Sequence, residues 1–377
     1  MSGAAVDAGL RAFASDNYAG VHPRVWAALA AVDADHARSY GADPHTARLE
    51  EAVREAFAAP EAIVLPVFTG TGANVVALQA LLPPWGAVIA AESAHIHHDE
   101  GGAPERVGHT KLFTVPAPDG RLTPAAVEAE AHGWGFVHRA QPAVVEIAQV
   151  TELGTVYSPE QVRALTDHAH GHGMSVYMDG ARLFNGAAAL DAPLHAFTTD
   201  VGVDVVSLGG TKAGAMGAEA VVVLRPEAVR LAALVPDRDL PAGAGQADRA
   251  RLAVEYLRKS SMQLASKMRY VSAQLSALLE DGLGVRLAGH ANAMAAELAA
   301  RVARIDGVQV VRPPESNAVF AVLDPAAADR ARASHPFYDW DAARHEVRWM
   351  TSWDTTAADL DGFEAALRTA LSSGPGR

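Results

Sequence analysis

Lys212 sits in the glycine-rich connection Gly209-Gly-Thr-Lys-Ala-Gly214, between two apolar, β-branched runs inside Val203–Leu224. The chain holds only four lysines (Lys111, Lys212, Lys259, Lys267) beside 27 arginines. An amine kept among Gly, Thr, Ala and Met is expected to be desolvated. That lowers its pKa and frees the neutral form to attack carbonyls, as a Schiff-base lysine must. Taken alone, Gly-Gly-Thr-Lys could equally be a surface turn. The other candidates are the turn Thr69-Gly-Thr-Gly-Ala-Asn74, His95, Glu152 and Asp179.

The elements that must position these residues are strands alternating with helices. Apolar runs at 62–68, 87–91, 111–115, 144–150, 174–178 and on both sides of Lys212 are expected strands. Helices are expected over 23–34, 46–58, 75–82, 123–131 and 158–170. The last is opened by a capping box at Ser158-Pro-Glu-Gln161 and stopped by Gly171 and Gly173. Such alternation predicts parallel βαβ units with ligands at the carboxyl ends of the strands. All five chemical candidates fall at such ends, which is the strongest argument for one site. Strand, glycine-rich turn and helix at Thr69–Asn74 aim backbone N–H groups at a single phosphate. The run His95-Ile-His-His-Asp-Glu100 invites a metal reading, but it lacks i, i+4 ligand pairs on a visible helix. No metal ligand is assigned, and His95 is expected to line the pocket while its neighbours are solvated.

The bulk composition bounds the rest. A chain of 377 residues, half of them hydrophobic, can build one large domain and a smaller one. The formal charge of −13 argues against nucleic acid or an anionic membrane as the main partner. Without cysteine there is no disulfide, thiolate metal site or cysteine nucleophile. Residues 1–16 show no signal-peptide pattern, and no apolar run nears the ~20 residues of a membrane helix, so a cytoplasmic enzyme is expected. The division expected is 1–267, an N-terminal arm with a large α/β domain, and 268–377, a small α+β domain.

A cofactor with an aldehyde, a phosphate and a pyridine nitrogen would use this rim fully. Lys212 would form the imine, Asp179 would keep the ring nitrogen protonated, the 69–72 turn would hold phosphate and His95 would stack on the ring. An arginine would grip the substrate carboxylate.

The motifs Asp179-Gly-Ala-Arg182, Gly209-Gly-Thr-Lys212, Thr69–Asn74 and Ser15-Asp-Asn-Tyr-Ala-Gly20 together resemble the low-specificity L-threonine aldolases. So do Asp99-Glu-Gly-Gly-Ala-Pro104, Gln263–Arg269 and Arg348–Asp354, in collinear order over nearly the whole chain. The resemblance implies the aspartate-aminotransferase-like fold type I and pyridoxal 5'-phosphate. It implies Arg182 at the ring's phenolic oxygen, Gly70 and Thr71 at phosphate, Ser15 and Arg348 at the substrate carboxylate, and Lys259 near the active site. It also implies a homodimer or homotetramer with shared sites. Two departures stand out. Glu152 occupies a position where one branch carries histidine, so a carboxylate would handle the substrate's proton. Met262 stands where relatives often have glycine. The expected reaction is aldol cleavage of a β-hydroxy-α-amino acid. Alternatives are β-elimination or racemisation on the same cofactor, or a binding protein that keeps only the fold.

Overall fold

Seven strands form the larger sheet: β1 (Ile63–Val67), β2 (Gly86–Ala91), β3 (Lys111–Val115), β4 (Gln141–Ala148), β5 (Ser175–Asp179), β6 (Val205–Gly209) and β7 (Glu219–Val223). A computed structural model describes residues 11–372. The strand order is β1-β7-β6-β5-β4-β2-β3. β7 runs antiparallel to both neighbours, and every other pairing is parallel. The parallel pairing expected of the βαβ units does not extend to β7. The connection carrying Lys212 is shorter than the dozen or more residues a parallel crossover needs, so the chain folds straight back. β1, β2, β4, β5, β6 and β7 are buried almost throughout, which is why they read as apolar runs rather than alternating ones.

The helix Pro159–Gly171 starts as expected. Ser158 Oγ accepts from the Gln161 N–H at 3.3 Å, and Gln161 Oε1 accepts from the Ser158 N–H at 2.8 Å. The helix Gly70–Leu81 is buried along most of its length and packs in the main core with β1, β2 and β7. The exits of β5 and β6 approach closely. A Cβ at Gly180 would lie 1.9 Å from the Ser207 carbonyl oxygen, and one at Gly209 would lie 2.5 Å from that of Ala181. Only glycine allows this pairing of strand ends.

The chain divides into two compact units, Met1–Gly20 with Arg286–Arg377, and Val21–Val285. The expected boundary at 267/268 instead falls within the second unit. The helix Arg269–Leu279 buries Val271, Leu275 and Leu278, and its Ser272 hydroxyl lies 2.9 Å from that of Thr46.

The first unit holds a four-stranded antiparallel sheet, β8 (Val308–Val310), β9 (Ala318–Leu323), β10 (Tyr338–Asp341) and β11 (Glu346–Met350), in the order β10-β11-β9-β8. β10 was not anticipated; its exposed pattern gives no apolar run. The arm joins this unit through backbone bonds from the Phe13 N–H to Pro336 and from the Met350 N–H to Phe13. Phe13 stacks on Phe363 at 4.4 Å, and Trp349 meets Phe363 edge-on at 5.2 Å. Trp349 is fully buried, yet its indole N–H has no hydrogen-bond partner among the described residues. Trp349→Ala is therefore expected to cost about 3–5 kcal/mol through the cavity it leaves. Trp349→Phe should cost much less, because it also removes the unpartnered donor. Denaturant midpoints of the two variants check this ordering.

Candidate active site

Lys212 lies in a single 3₁₀ turn, Thr211–Ala213, between β6 and β7. Its side chain is half-buried rather than enclosed by apolar groups. A carboxyl stands nearby: Glu219 opens β7, is buried, and accepts from the Thr211 N–H at 3.4 Å. Burial pushes Glu219 up to about 7, against the pull of Thr211 and the Lys212 ammonium. The charge beside Lys212 thus changes near neutral pH.

Asp179 ends β5 and is buried. Its Oδ1 accepts from the Ala181 N–H at 2.9 Å, and its Oδ2 accepts from Asn74 Nδ2 at 3.0 Å. Asn74 projects from the helix Gly70–Leu81 and uses both amide hydrogens, the second on Glu100 Oε1 at 2.6 Å. Its Oδ1 accepts from the Tyr177 hydroxyl. Glu100 in turn accepts from His95 Nδ1 at 2.9 Å. One amide therefore joins the carboxyl ends of β2 and β5.

His95 feels this network. Burial pushes its imidazole down, but the Glu100 hydrogen bond and the fields of Glu152, Asp179 and Glu100 outweigh that and leave it raised. The same fields bring Glu146 into view. Burial first, then Asp179, Glu100 and Glu152, hold its carboxyl well above the ordinary carboxylate range. Glu152 is half-buried, just beyond β4, within electrostatic reach of His95 and Glu146.

Thr69 caps the helix Gly70–Leu81, its Oγ1 accepting from the Gly72 N–H at 3.0 Å. The N–H groups of Gly70 and Thr71 have no partner within the helix, and a Cβ at Gly70 would meet nothing within 4 Å. Behind them Gln263 packs so closely on Gly72 that a Cβ would lie 2.3 Å from it. Gln263 Oε1 also accepts from the Phe68 N–H at 3.0 Å. Arg182 is buried at the start of the helix Leu183–Leu190, three residues past Asp179.

Lys212, Asp179, Arg182, His95, Glu152, Gly70 and Thr71 all belong to the second unit, at the carboxyl ends of its parallel strands. Lys259 belongs there too, but it is exposed on the last turn of the helix Gln246–Ser260, its ammonium 5.2 Å from the Tyr40 ring. Its neighbour Arg258 is the buried cation. Met262 adopts φ +61°, a left-handed backbone conformation that glycine takes with least strain, in keeping with the glycine the resemblance implies there. Ser15 and Arg348 belong to the first unit. Ser15 caps the turn Asp16–Tyr18, and the Arg348 guanidinium lies 5.0 Å over the Trp340 ring. His97 and His98 are exposed with rings 4.4 Å apart, as expected of solvated neighbours.

Asn74, Glu100, Glu146 and Glu219 were assigned no role from sequence. A signal existed for three of them: Asn74, Glu146 and Glu219 are polar residues within or beside an apolar run, as in Val144-Val-Glu-Ile147 and Glu219-Ala-Val-Val-Val223. Buried polar residues need partners, and the partners lie far off in the chain.

A lysine on the β6–β7 connection, a buried aspartate ending the neighbouring strand and a mixed seven-stranded sheet define the class. It is the aspartate-aminotransferase-like fold type I. The comparisons agree. The Beta-eliminating lyase family model matches residues 12–326. A low specificity L-threonine aldolase of Pseudomonas sp. is 37% identical, over 96% of this chain and 98% of the relative. One from Pseudomonas aeruginosa is 37% identical, over 91% and 93%. Among solved structures, a threonine aldolase of Leishmania major superposes with a TM-score of 0.84 at 29% identity, over 96% of this chain and 99% of that one. The chain belongs to the low-specificity L-threonine aldolases, lyases of the Beta-eliminating lyase family.

Membership implies pyridoxal 5'-phosphate. The residues present fit it: an amine at a strand end, a buried carboxyl fixed by two donors, and helix-terminal N–H groups without a partner in the helix, with open space beside Gly70. Among the described residues no helix is long and apolar enough to cross a membrane.

Proposed function

We propose that this chain cleaves L-threonine, L-allo-threonine and related β-hydroxy-α-amino acids to glycine and an aldehyde, acetaldehyde from threonine. The observation that carries the reading is the gathering of Lys212, Asp179, His95 and Glu152 at one rim of the second unit, in a chain of this family. Bound pyridoxal phosphate supplies an electron-withdrawing ring that accepts the electrons released when the Cα–Cβ bond breaks.

Lys212 would hold the cofactor through its aldehyde carbon. Asp179, pinned by Asn74 and Ala181, would keep a proton on the ring nitrogen. His95 would hold the ring face, Arg182 the phenolic oxygen, and the Gly70 and Thr71 amides the phosphate. The resemblance assigns Ser15 and Arg348 to the amino acid's carboxylate, with Lys259 as a further cation. Glu152, directly or through a water, takes the β-hydroxyl proton. The hydroxyl oxygen becomes the aldehyde carbonyl, and Cα regains a proton as glycine forms. A homodimer or homotetramer with shared sites and a cytoplasmic location complete the reading; light scattering tests the assembly.

Incubation of the holoenzyme with L-threonine is expected to yield glycine and acetaldehyde in equal amounts. Formation of 2-oxobutyrate and ammonia would replace the reading with β-elimination, and inversion at Cα without cleavage would replace it with racemisation.

A further inference from the structure

Outside the rim, one cluster of ligating side chains stands apart. Glu128 ends the helix Pro124–Glu128, and His168 and His172 lie four residues apart on the last turn and cap of the helix Pro159–Gly171. Their donor atoms all lie within 4.8 Å of one another. Glu128 Oε2 is 3.2 Å from His168 Nε2 and 3.4 Å from His172 Nε2. Zinc bonds of ~2.0–2.1 Å in a tetrahedron place ligand atoms ~3.3–3.4 Å apart. Both carboxylate–imidazole edges match that spacing.

Two further observations point the same way. His172 Nδ1 lies 3.0 Å from the His168 carbonyl, which can only accept, so Nδ1 carries the proton and Nε2 presents its lone pair to the cluster. That is how a neighbouring carbonyl sets the tautomer of a metal-bound imidazole. His168 Nε2 is buried and, despite its nearness to Glu128, makes no aligned hydrogen bond. A simple imidazole–carboxylate pair would align that bond. The cluster also sits at a helix C-terminus, whose carbonyls favour a cation.

We propose that Glu128, His168 and His172 form a divalent metal site for zinc, with water in the fourth position. The helix Pro159–Gly171 leads into the start of β5, while Asp179 ends that strand, so the site is at the opposite end of β5 from the reacting groups. It clips the segment around Glu128 to the helix before β5. Its role is to stabilise the second unit, not to touch substrate.

The test uses the untagged full-length holoenzyme, dialysed against chelator. Titration with Zn²⁺ by calorimetry should show one equivalent per chain, and Co²⁺ should give the intense visible bands of tetrahedral coordination. At a hundredfold excess of Zn²⁺ over its dissociation constant, the melting temperature should rise by about 5 °C or more. A His168→Ala/His172→Ala variant should lose that equivalent, the cobalt bands and the shift while cleaving threonine at the unchanged rate. Glu128→Gln should weaken binding at least about tenfold. A His97→Ala/His98→Ala variant should keep the equivalent. Zinc uptake by the His168→Ala/His172→Ala variant equal to that of the parent, or no uptake by the parent, would overturn the proposal.

Discussion

Lys212→Ala is expected to abolish threonine cleavage, by roughly a thousandfold or more, because it removes a group no other side chain can replace. Lys111, Lys259 and Lys267 lie elsewhere in the sequence, and Lys259 is exposed. The purified variant should also fail to develop the yellow colour of the parent when mixed with pyridoxal phosphate. The fold should survive, since the side chain is half-buried and its loss leaves no closed cavity. A second consequence is local. The Lys212 ammonium is one of the influences holding the Glu219 carboxyl down against burial, so in the variant Glu219 should titrate above about 7. Infrared titration of the carboxyl band reads this shift. Unchanged cleavage by the variant would dismiss Lys212 as the covalent group.

Asp179→Asn ranks next. It keeps the volume and removes the charge, so loss of the buried anion that stabilises a ring proton is expected to lower kcat by about 10²–10³. The fall should be in kcat with KM little changed, since Asp179 is assigned to the ring and not to the substrate carboxylate. The change also reaches His95, whose imidazole burial pushes down and Glu100, Glu152 and Asp179 raise. Removing the Asp179 charge takes away one raising influence, so the His95 pKa should fall. The pair with Glu100 gives its stability in full below 6.5, the ordinary imidazole value, and loses it as pH rises through the raised folded value. In Asp179→Asn that loss should come at lower pH. NMR titration of the His95 ring separates this from general misfolding, which would move other histidines as well.

The units and the register of the site differ in how far they were legible. The capping box at Ser158 and the helix it opens follow from local hydrogen bonding and periodicity, and they stand where expected. Placement of Lys212 between two buried strands was equally local. The antiparallel course of β7 was not, because apolar runs carry no sign of strand direction. Nor was the membership of the helix Arg269–Leu279, whose apolar face could have packed on either unit.

The residue types set the chemistry by themselves. An amine in a glycine-rich turn, a carboxyl at a strand end and a glycine turn before a helix are properties of short segments. Tertiary structure alone decided which distant groups tune them. Asn74 meets Asp179, Glu100 and Tyr177, all remote from it in sequence, only because the helix Gly70–Leu81 and the carboxyl ends of β2 and β5 come together at one rim. The pairing of Glu128 with His168 and His172 is likewise a product of packing. Short-range preferences depend on neighbours along the chain, whereas burial and electrostatic fields depend on neighbours in space.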